Sequence, residues 1–338
     1  MKNKQILVTG GLGFIGSHFV ELLHEKCTNC KITIVDSYNY SVSSRTEELI
    51  WDLYLDKKNT LEIVYKSIHQ YNNVAKFDYV INFAAESHVD NSITNGSPFI
   101  KSNVVGVYHL LNQLRDGQRF IQIGTDEVYG SLSLNASPSE DEDRLKPSSI
   151  YSSTKAAADL IAFSYYHTYN RDIIVTRCTN NFGPRQYPEK LIPVVVKKAL
   201  ADEKIPVYGT GENIRQWIYV KDHCEKILNV LKFGESGQTY NLAPHYNNED
   251  YGEINNITLV EDILSILNKP DSLISFVEDR KGHDLKYCLR DSNYRGMMFN
   301  NDQQLELPGT EKRFADDLRY TIMWYKDNDN WWEEKFNS

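Results

Sequence analysis

No run of apolar residues in this chain approaches the roughly 20 needed to cross a bilayer as a helix, so no membrane association is expected. Basic residues are in deficit, with 37 Lys and Arg against 46 Asp and Glu and a net charge of -9. That balance argues against a nucleic-acid partner, which needs a broad basic face, but still allows a phosphate ligand, which needs only a local cluster of cations. Cysteine is scarce: five in 338 residues, an odd number that suits a reducing compartment and a cytoplasmic location rather than a disulfide framework. Cys27-x-x-Cys30 has no second pair and no histidine at metal spacing, so no metal site is expected. Internal repeats and low-complexity tracts are absent, and the opening Met-Lys-Asn-Lys runs straight into a strand-like segment, so no signal peptide is expected. What remains is a chain that is 41% hydrophobic and long enough for one large or two linked domains.

Tyr151-Ser152-Ser153-Thr154-Lys155, preceded by Thr125-Asp126-Glu127, is the most informative feature present. A Tyr and a Lys four apart share one face of a helix. Free tyrosine titrates near pH 10, so a tyrosine base at neutral pH needs a shift of roughly three units, about 4 kcal/mol. A neighbouring ammonium is one of the few ways to supply it. Alone the pair is ambiguous, because in a chain with 22 Tyr the same spacing arises by chance on a solvated helix face.

The N-terminus resolves the ambiguity. Gln5–Thr9 is a short run rich in β-formers, followed at once by Gly10-Gly11-Leu12-Gly13-Phe14-Ile15-Gly16. Glycines at 10, 13 and 16 provide a tight turn, close approach to a pyrophosphate and close strand–helix packing. A helix from about Ser17 to Lys26 would aim its positive end at the diphosphate. A second β-like run ends at Asp36, about 20 residues beyond Gly16, where a carboxylate would bond a ribose 2′-hydroxyl and favour NAD over NADP.

Strand-like segments (Leu61–Tyr65, Tyr79–Phe83, Phe120–Gly124, Ile173–Thr176) alternate with helix-like ones (Pro98–Leu114, Ile150–Asn170) as far as about residue 177. This pattern predicts an α/β fold with a doubly wound parallel sheet, binding ligands beyond the carboxyl ends of its strands. The motifs sit at those ends. After Gly183-Pro184 the alternation breaks, so residues 1–184 are read as an NAD-binding domain. Residues 185–338 are read mainly as a smaller α/β substrate-binding lobe, with the chain returning to the first domain near 214–240.

Several motifs together resemble the nucleotide-diphosphate-glucose 4,6-dehydratases, best known for dTDP-glucose and UDP-glucose, among the extended short-chain dehydrogenase/reductases. They are Gly10–Gly16, Asn82-Phe-Ala-Ala-Glu-Ser-His-Val-Asp90, Thr125-Asp-Glu-Val-Tyr-Gly130 and Tyr151-Ser-Ser-Thr-Lys155. Further matches are Arg177-Cys-Thr-Asn-Asn-Phe-Gly-Pro184, Pro188-Glu-Lys-Leu-Ile-Pro193, Arg215-Gln-Trp-Ile-Tyr-Val-Lys-Asp222 and Asp279-Arg-Lys-Gly-His-Asp284. Thr-Asp-Glu at 125–127 is what separates the dehydratases from related epimerases and decarboxylases. Departures from the family pattern are Ser67 in place of an acidic residue, Gln216 in place of Asp, and Lys281 in place of Pro. The resemblance implies a homodimer paired through the two long helices.

The resemblance implies a hydro-lyase with NAD as a bound catalyst and a nucleotide-diphosphate glucose as substrate. Tyr151, held by Lys155 and aided by Thr125, would take the proton of the sugar 4-hydroxyl; Glu127 would remove the proton at carbon 5, and Asp126, kept protonated in a dry pocket, would donate to the departing 6-hydroxyl. NAD would be held by Gly10, Gly13, Phe14, Ile15, Gly16, Asp36 and Ser37, with Ser67 and Ile68 near the adenine. Phe83, Ala84, Ala85, Ser102 and Asn181, together with Tyr151 and Lys155, would complete that site. Substrate contacts are expected from Ser87, Glu127, Asn180, Lys190, Leu191 and Arg215, with Arg280, His283, Asp284 and Tyr287 further along. Pro206 and Tyr208 would form a flat wall against the base, and an asparagine within 243–256 would meet it. Two other readings stand beside this one. A 4-epimerase or decarboxylase would have no role for both Asp126 and Glu127, and a non-catalytic NAD-binding scaffold would not need the intact set.

Overall fold

A computed structural model describes residues 1–245, 252–279, 282–301 and 314–331. The strands are β1 Gln5–Thr9, β2 Lys31–Asp36, β3 Thr60–Tyr65, β4 Tyr79–Asn82, β5 Arg119–Thr125, β6 Asp172–Cys178, β7 Asn180–Phe182, β8 Ile205–Tyr208, β9 Ile214–Tyr219, β10 Thr239–Leu242, β11 Glu253–Asn255 and β12 Ile274–Val277. The α-helices are α1 Phe14–Lys26, α2 Ser44–Leu53, α3 Val89–Thr94, α4 Ser97–Phe99, α5 Val107–Leu111, α6 Ile150–Tyr169, α7 Leu191–Leu200, α8 Val220–Phe233, α9 Asn256–Leu267, α10 Ser292–Asn300 and α11 Phe314–Asp327.

Seven strands form one parallel sheet in the order β3-β2-β1-β4-β5-β6-β10. The order reverses between β1 and β4, which opens a crevice at the carboxyl ends of those strands. Successive residues of a strand enter opposite cores, as the two-residue strand period requires. Ile6 and Val8 join a cluster with Phe19 and Leu23 of α1 and Ile227 and Leu231 of α8. Leu7 joins the other, with Leu110 of α5 and Ala158 and Ala162 of α6. Both faces of the sheet are thus covered, which explains why its strands read as continuous apolar runs.

After β6 the chain builds a three-stranded sheet, β11-β9-β7, and a parallel pair, β12 with β8. The run Ile214–Val220 pairs with β7 and β11; the return to the large sheet is made by β10, beside β6. Two ties fix the linker after β7: Arg185 holds Glu21 of α1 with bonds of 2.5 and 2.8 Å, and the Tyr325 hydroxyl of α11 donates to the Gly183 carbonyl at 2.9 Å.

Two helices differ from the sequence reading. The first begins at Phe14 rather than about Ser17. The expected helix Pro98–Leu114 is α4, a π-helical run Ile100–Gly106 and α5. The wider π turn carries Asn103, whose side-chain amide donates to the Glu86 carbonyl and to Thr154 Oγ1, each at 3.0 Å, and accepts from the Glu86 amide at 2.9 Å. Such a run is marked by tertiary contacts and not by helical periodicity.

Candidate active site

A cleft of about 630 Å³ runs across the carboxyl edge of the large sheet and under the second lobe. At one end is the β1–α1 turn. Gly10 has φ +66, and a Cβ there would lie 2.7 Å from the Ala84 nitrogen; a Cβ on Gly16 would lie 2.2 Å from the Gly10 oxygen. Only glycine fits either place. Helix α1 has no acidic residue in its own first turn, and its positive end lies beside the cleft. Asp36 closes β2 at 6% exposure, and its two oxygens accept from the Leu12 and Tyr38 amides at 3.0 and 2.9 Å. A fixed carboxylate facing a glycine cradle fits the ribose and diphosphate of a dinucleotide. Ser37, Ser67 and Ile68 line the same end, and Phe83, Ala84, Ala85 and Ser102 line the stretch that follows.

Farther along, β5 delivers Thr125, Asp126 and Glu127, and the first turns of α6 deliver Tyr151 and Lys155. A capping box sets that helix start: Ser149 Oγ accepts from the Ser152 amide and Ser152 Oγ from the Ser149 amide, both at 3.0 Å. Asp126 is buried, and among the described residues its Oδ2 has no hydrogen-bond partner. Burial, and then the charge of Glu127, push its carboxyl up to about 7, so it keeps its proton to near neutrality. The Thr125 hydroxyl donates to Asp126 Oδ1 at 3.2 Å and accepts from the Glu127 amide at 3.3 Å.

The Tyr–Lys pair departs from the sequence expectation. Burial, and then the Glu127 charge, hold the Tyr151 phenol well above its usual range, with only a hydrogen bond to Thr125 opposing. Lys155 does not counter this: its ammonium donates to the Ile123 carbonyl at 2.5 Å, and burial lowers its own pKa against the pull of Asp159.

On the opposite wall, Lys190 donates to the Ser87 carbonyl at 2.9 Å, just before Leu191 opens α7. Arg215 stacks on the Tyr287 ring at 4.7 Å and donates to the Asp284 carbonyl at 3.0 Å. Tyr208, 41% exposed, meets the His283 ring edge-on at 6.2 Å. Asn180, Asn181 and Pro206 also line the cleft. Asp284 does not: Ser148 donates to its carboxylate at 2.7 Å, and the Tyr287 hydroxyl donates to the same oxygen. His283 Nδ1 bonds Asp279 at 2.6 Å, a local contact. Arg280, and residues 246–251 of the loop expected to meet the base, lie outside the described residues.

The cleft also holds residues that the sequence reading passed over, among them Asn39, Lys101, Cys178, Tyr187 and Glu189. Glu189 sits inside a motif that had been read for Lys190 and Leu191. Cys178 ends a strand whose apolar pattern hides it.

A family model described as GDP-mannose 4,6 dehydratase matches residues 7–292. A dTDP-glucose 4,6-dehydratase of an Actinoplanes strain is 38% identical over 342 residues, covering 97% of this chain and 99% of that one. The low-salt glycan biosynthesis protein Agl12 of Haloferax volcanii is 42% identical over 290 residues, covering 84% and 89%. The crystal structure of DesIV, a dTDP-glucose 4,6-dehydratase of Streptomyces venezuelae with NAD bound, matches with a TM-score of 0.86 and 36% identity, covering 98% of this chain and 99% of that one.

Proposed function

The chain belongs to the GDP-mannose 4,6 dehydratase family, and from that premise we propose how its cleft performs the reaction of a nucleotide-diphosphate-glucose 4,6-dehydratase. The activity is that of a hydro-lyase using NAD, with a nucleotide-linked 4-keto-6-deoxyglucose as product. The observation that carries the assignment is Asp126, a buried carboxyl held near pH 7 within a Thr-Asp-Glu turn that shares the cleft with Tyr151 and Lys155. A 4-epimerase has no use for that second proton carrier.

NAD, when bound, would supply the hydride acceptor and donor of the reaction and a positive charge within the cleft. The glycine cradle and Asp36 fit its diphosphate and ribose, with Ser37, Ser67 and Ile68 toward the adenine and Phe83–Ala85, Ser102 and Asn181 along the rest. Tyr151 acts as tyrosinate: the positive charge of bound cofactor would favour loss of the phenol proton, with Lys155 turning from the Ile123 carbonyl toward it, and the tyrosinate then takes the 4-hydroxyl proton beside Thr125 and becomes the neutral phenol. Glu127, less buried than its neighbour, removes the proton at carbon 5. Asp126 donates to the 6-hydroxyl as it leaves as water.

Lys190 and Arg215 face the diphosphate, while Asn180, Leu191, Ser87 and His283 position the rest; Pro206 and Tyr208 face the base, and Tyr287 is held by Asp284. Residues 1–184 thereby serve mainly the cofactor and 185–338 the sugar nucleotide. The relatives named for dTDP-glucose favour thymidine as the base. A homodimer is supported by exposed apolar residues on the two helices expected to pair: Ile100, Val105 and Tyr108 on one and Leu160, 61% exposed, on the other. Five free, buried cysteines support a cytoplasmic location; among the described residues no helix is long and apolar enough to cross a membrane. Incubation with dTDP-glucose and with UDP-glucose, followed by mass spectrometry, tests the activity: loss of one water from either is expected, and unchanged masses for both would contradict it.

A further inference from the structure

We propose that Tyr40 and Glu189, backed by His88 and Asn91, form a clasp across the cleft that keeps NAD in place from one turnover to the next. The proposal rests on the NAD-dependent reading above. Three chain segments that are remote in sequence meet here: the loop after β2, the loop and short helix after β4, and the linker before α7. The Tyr40 hydroxyl donates to Glu189 Oε2 at 2.9 Å and accepts from the Asn91 side-chain amide at 3.2 Å. His88 Nε2 lies 4.0 Å from the same Glu189 oxygen, both side chains being mostly buried at 17% and 16% exposure. The Tyr40 ring also packs edge-on against Tyr187 at 5.5 Å.

The position of this contact gives it a role. The loop of Tyr40 begins at Asp36, the ribose ligand, while Ser87 and Lys190, which bond each other at 2.9 Å, adjoin His88 and Glu189 on the sugar side. The contact therefore spans the cleft between the adenosine end and the sugar end. Asn39, Ser41, His88 and Glu189 line the cleft, while Tyr40 itself is 43% exposed and sits on the outside, as the outer half of a closure would. Burial, and then the Glu189 charge, raise the Tyr40 phenol far above neutrality, so it remains a donor to an anionic acceptor.

The chemistry needs such a device. The hydride leaves carbon 4 and returns at carbon 6 of the same sugar. A cofactor lost in its reduced form therefore strands a keto sugar that cannot be completed. No atom of the clasp needs to touch reacting atoms, so Tyr40 and Glu189 are positioning residues.

The test uses purified holoenzyme of the parent, Tyr40→Phe, Glu189→Gln and the double variant. NAD retention after repeated desalting and its rate of exchange with labelled NAD are read in the absence of sugar nucleotide. A trap of lactate dehydrogenase and pyruvate then counts NADH released per sugar turned over. Tyr40→Phe, which removes the donor, is expected to lose NAD about tenfold faster than the parent and Glu189→Gln, which keeps a neutral acceptor oxygen, by a smaller factor, with the double variant no faster than Tyr40→Phe, because that substitution alone already breaks the contact. Tyr65→Phe, which removes another Tyr–Glu bond (to Glu47) outside the clasp, is expected to retain NAD like the parent. Parent-like retention in Tyr40→Phe and Glu189→Gln, or additive losses in the double variant, would overturn the clasp. A parent that neither carries nor binds NAD would overturn the cofactor reading itself.

Discussion

Asp126 and Glu127 are neighbours in sequence with different surroundings, and the difference assigns their roles. Asp126 is buried with one oxygen unpartnered among the described residues and titrates near 7, whereas Glu127 is half-buried. Between about pH 4 and 7 the folded chain keeps a proton at Asp126 that the unfolded chain has lost. Stability from this group therefore falls as pH rises through that window. Urea unfolding should show Asp126→Asn gaining stability relative to the parent by on the order of 4 kcal/mol more at pH 8 than at pH 4. In turnover, Asp126→Asn should slow water loss more than oxidation, and Glu127→Gln should build up reduced-cofactor absorbance while elimination stalls. Parent-like dehydration by both variants would remove this pair from the mechanism. The five residues at 125–127, 151 and 155 were legible in the sequence because two short motifs contain them all. The direction of the Tyr151 shift was not legible, because it depends on burial and on where the Lys155 ammonium turns. Nor was the diversion of Asp284 to Ser148 and Tyr287, a contact that joins distant segments.

Among the elements, α6 matters most, since it carries Tyr151 and Lys155 in its first two turns. Its start is fixed by the Ser149–Ser152 capping box. Ser149→Ala should cost about 1 kcal/mol of stability, seen in chemical unfolding, and should lower kcat by displacing Tyr151. Ser149→Thr, which can still cap, should recover most of both. Strands β1 to β6 were readable within one or two residues, because buried parallel strands are short apolar runs between turns. The π-helical run at Ile100–Gly106 was not, since its cause is the bond from Asn103 to the Glu86 loop. Gly106 adds to that packing: a Cβ there would come within 2.5 Å of Ile68 Cδ1.

For the whole molecule, alternation of strand and helix predicted the parallel sheet, while the path of the second half lay beyond local pattern. Strand β10 joins β6 only after a long excursion, and no nearby residue announces that pairing. Exposed Leu160 and Tyr108 mark the face on which a second copy is proposed to dock. Leu160→Asp should shift the protein from dimer to monomer in light scattering coupled to gel filtration. A monomeric parent would contradict the proposed pairing.

The whole cycle depends on a single hydride staying within the closed cleft, and isotope tracing tests that claim most directly. With nucleotide-diphosphate glucose deuterated at carbon 4, the label should appear at carbon 6 of the same sugar, with a solvent hydrogen at carbon 5. Deuterium recovered at carbon 4 of an intact hexose, or released on free NADH, would contradict the account.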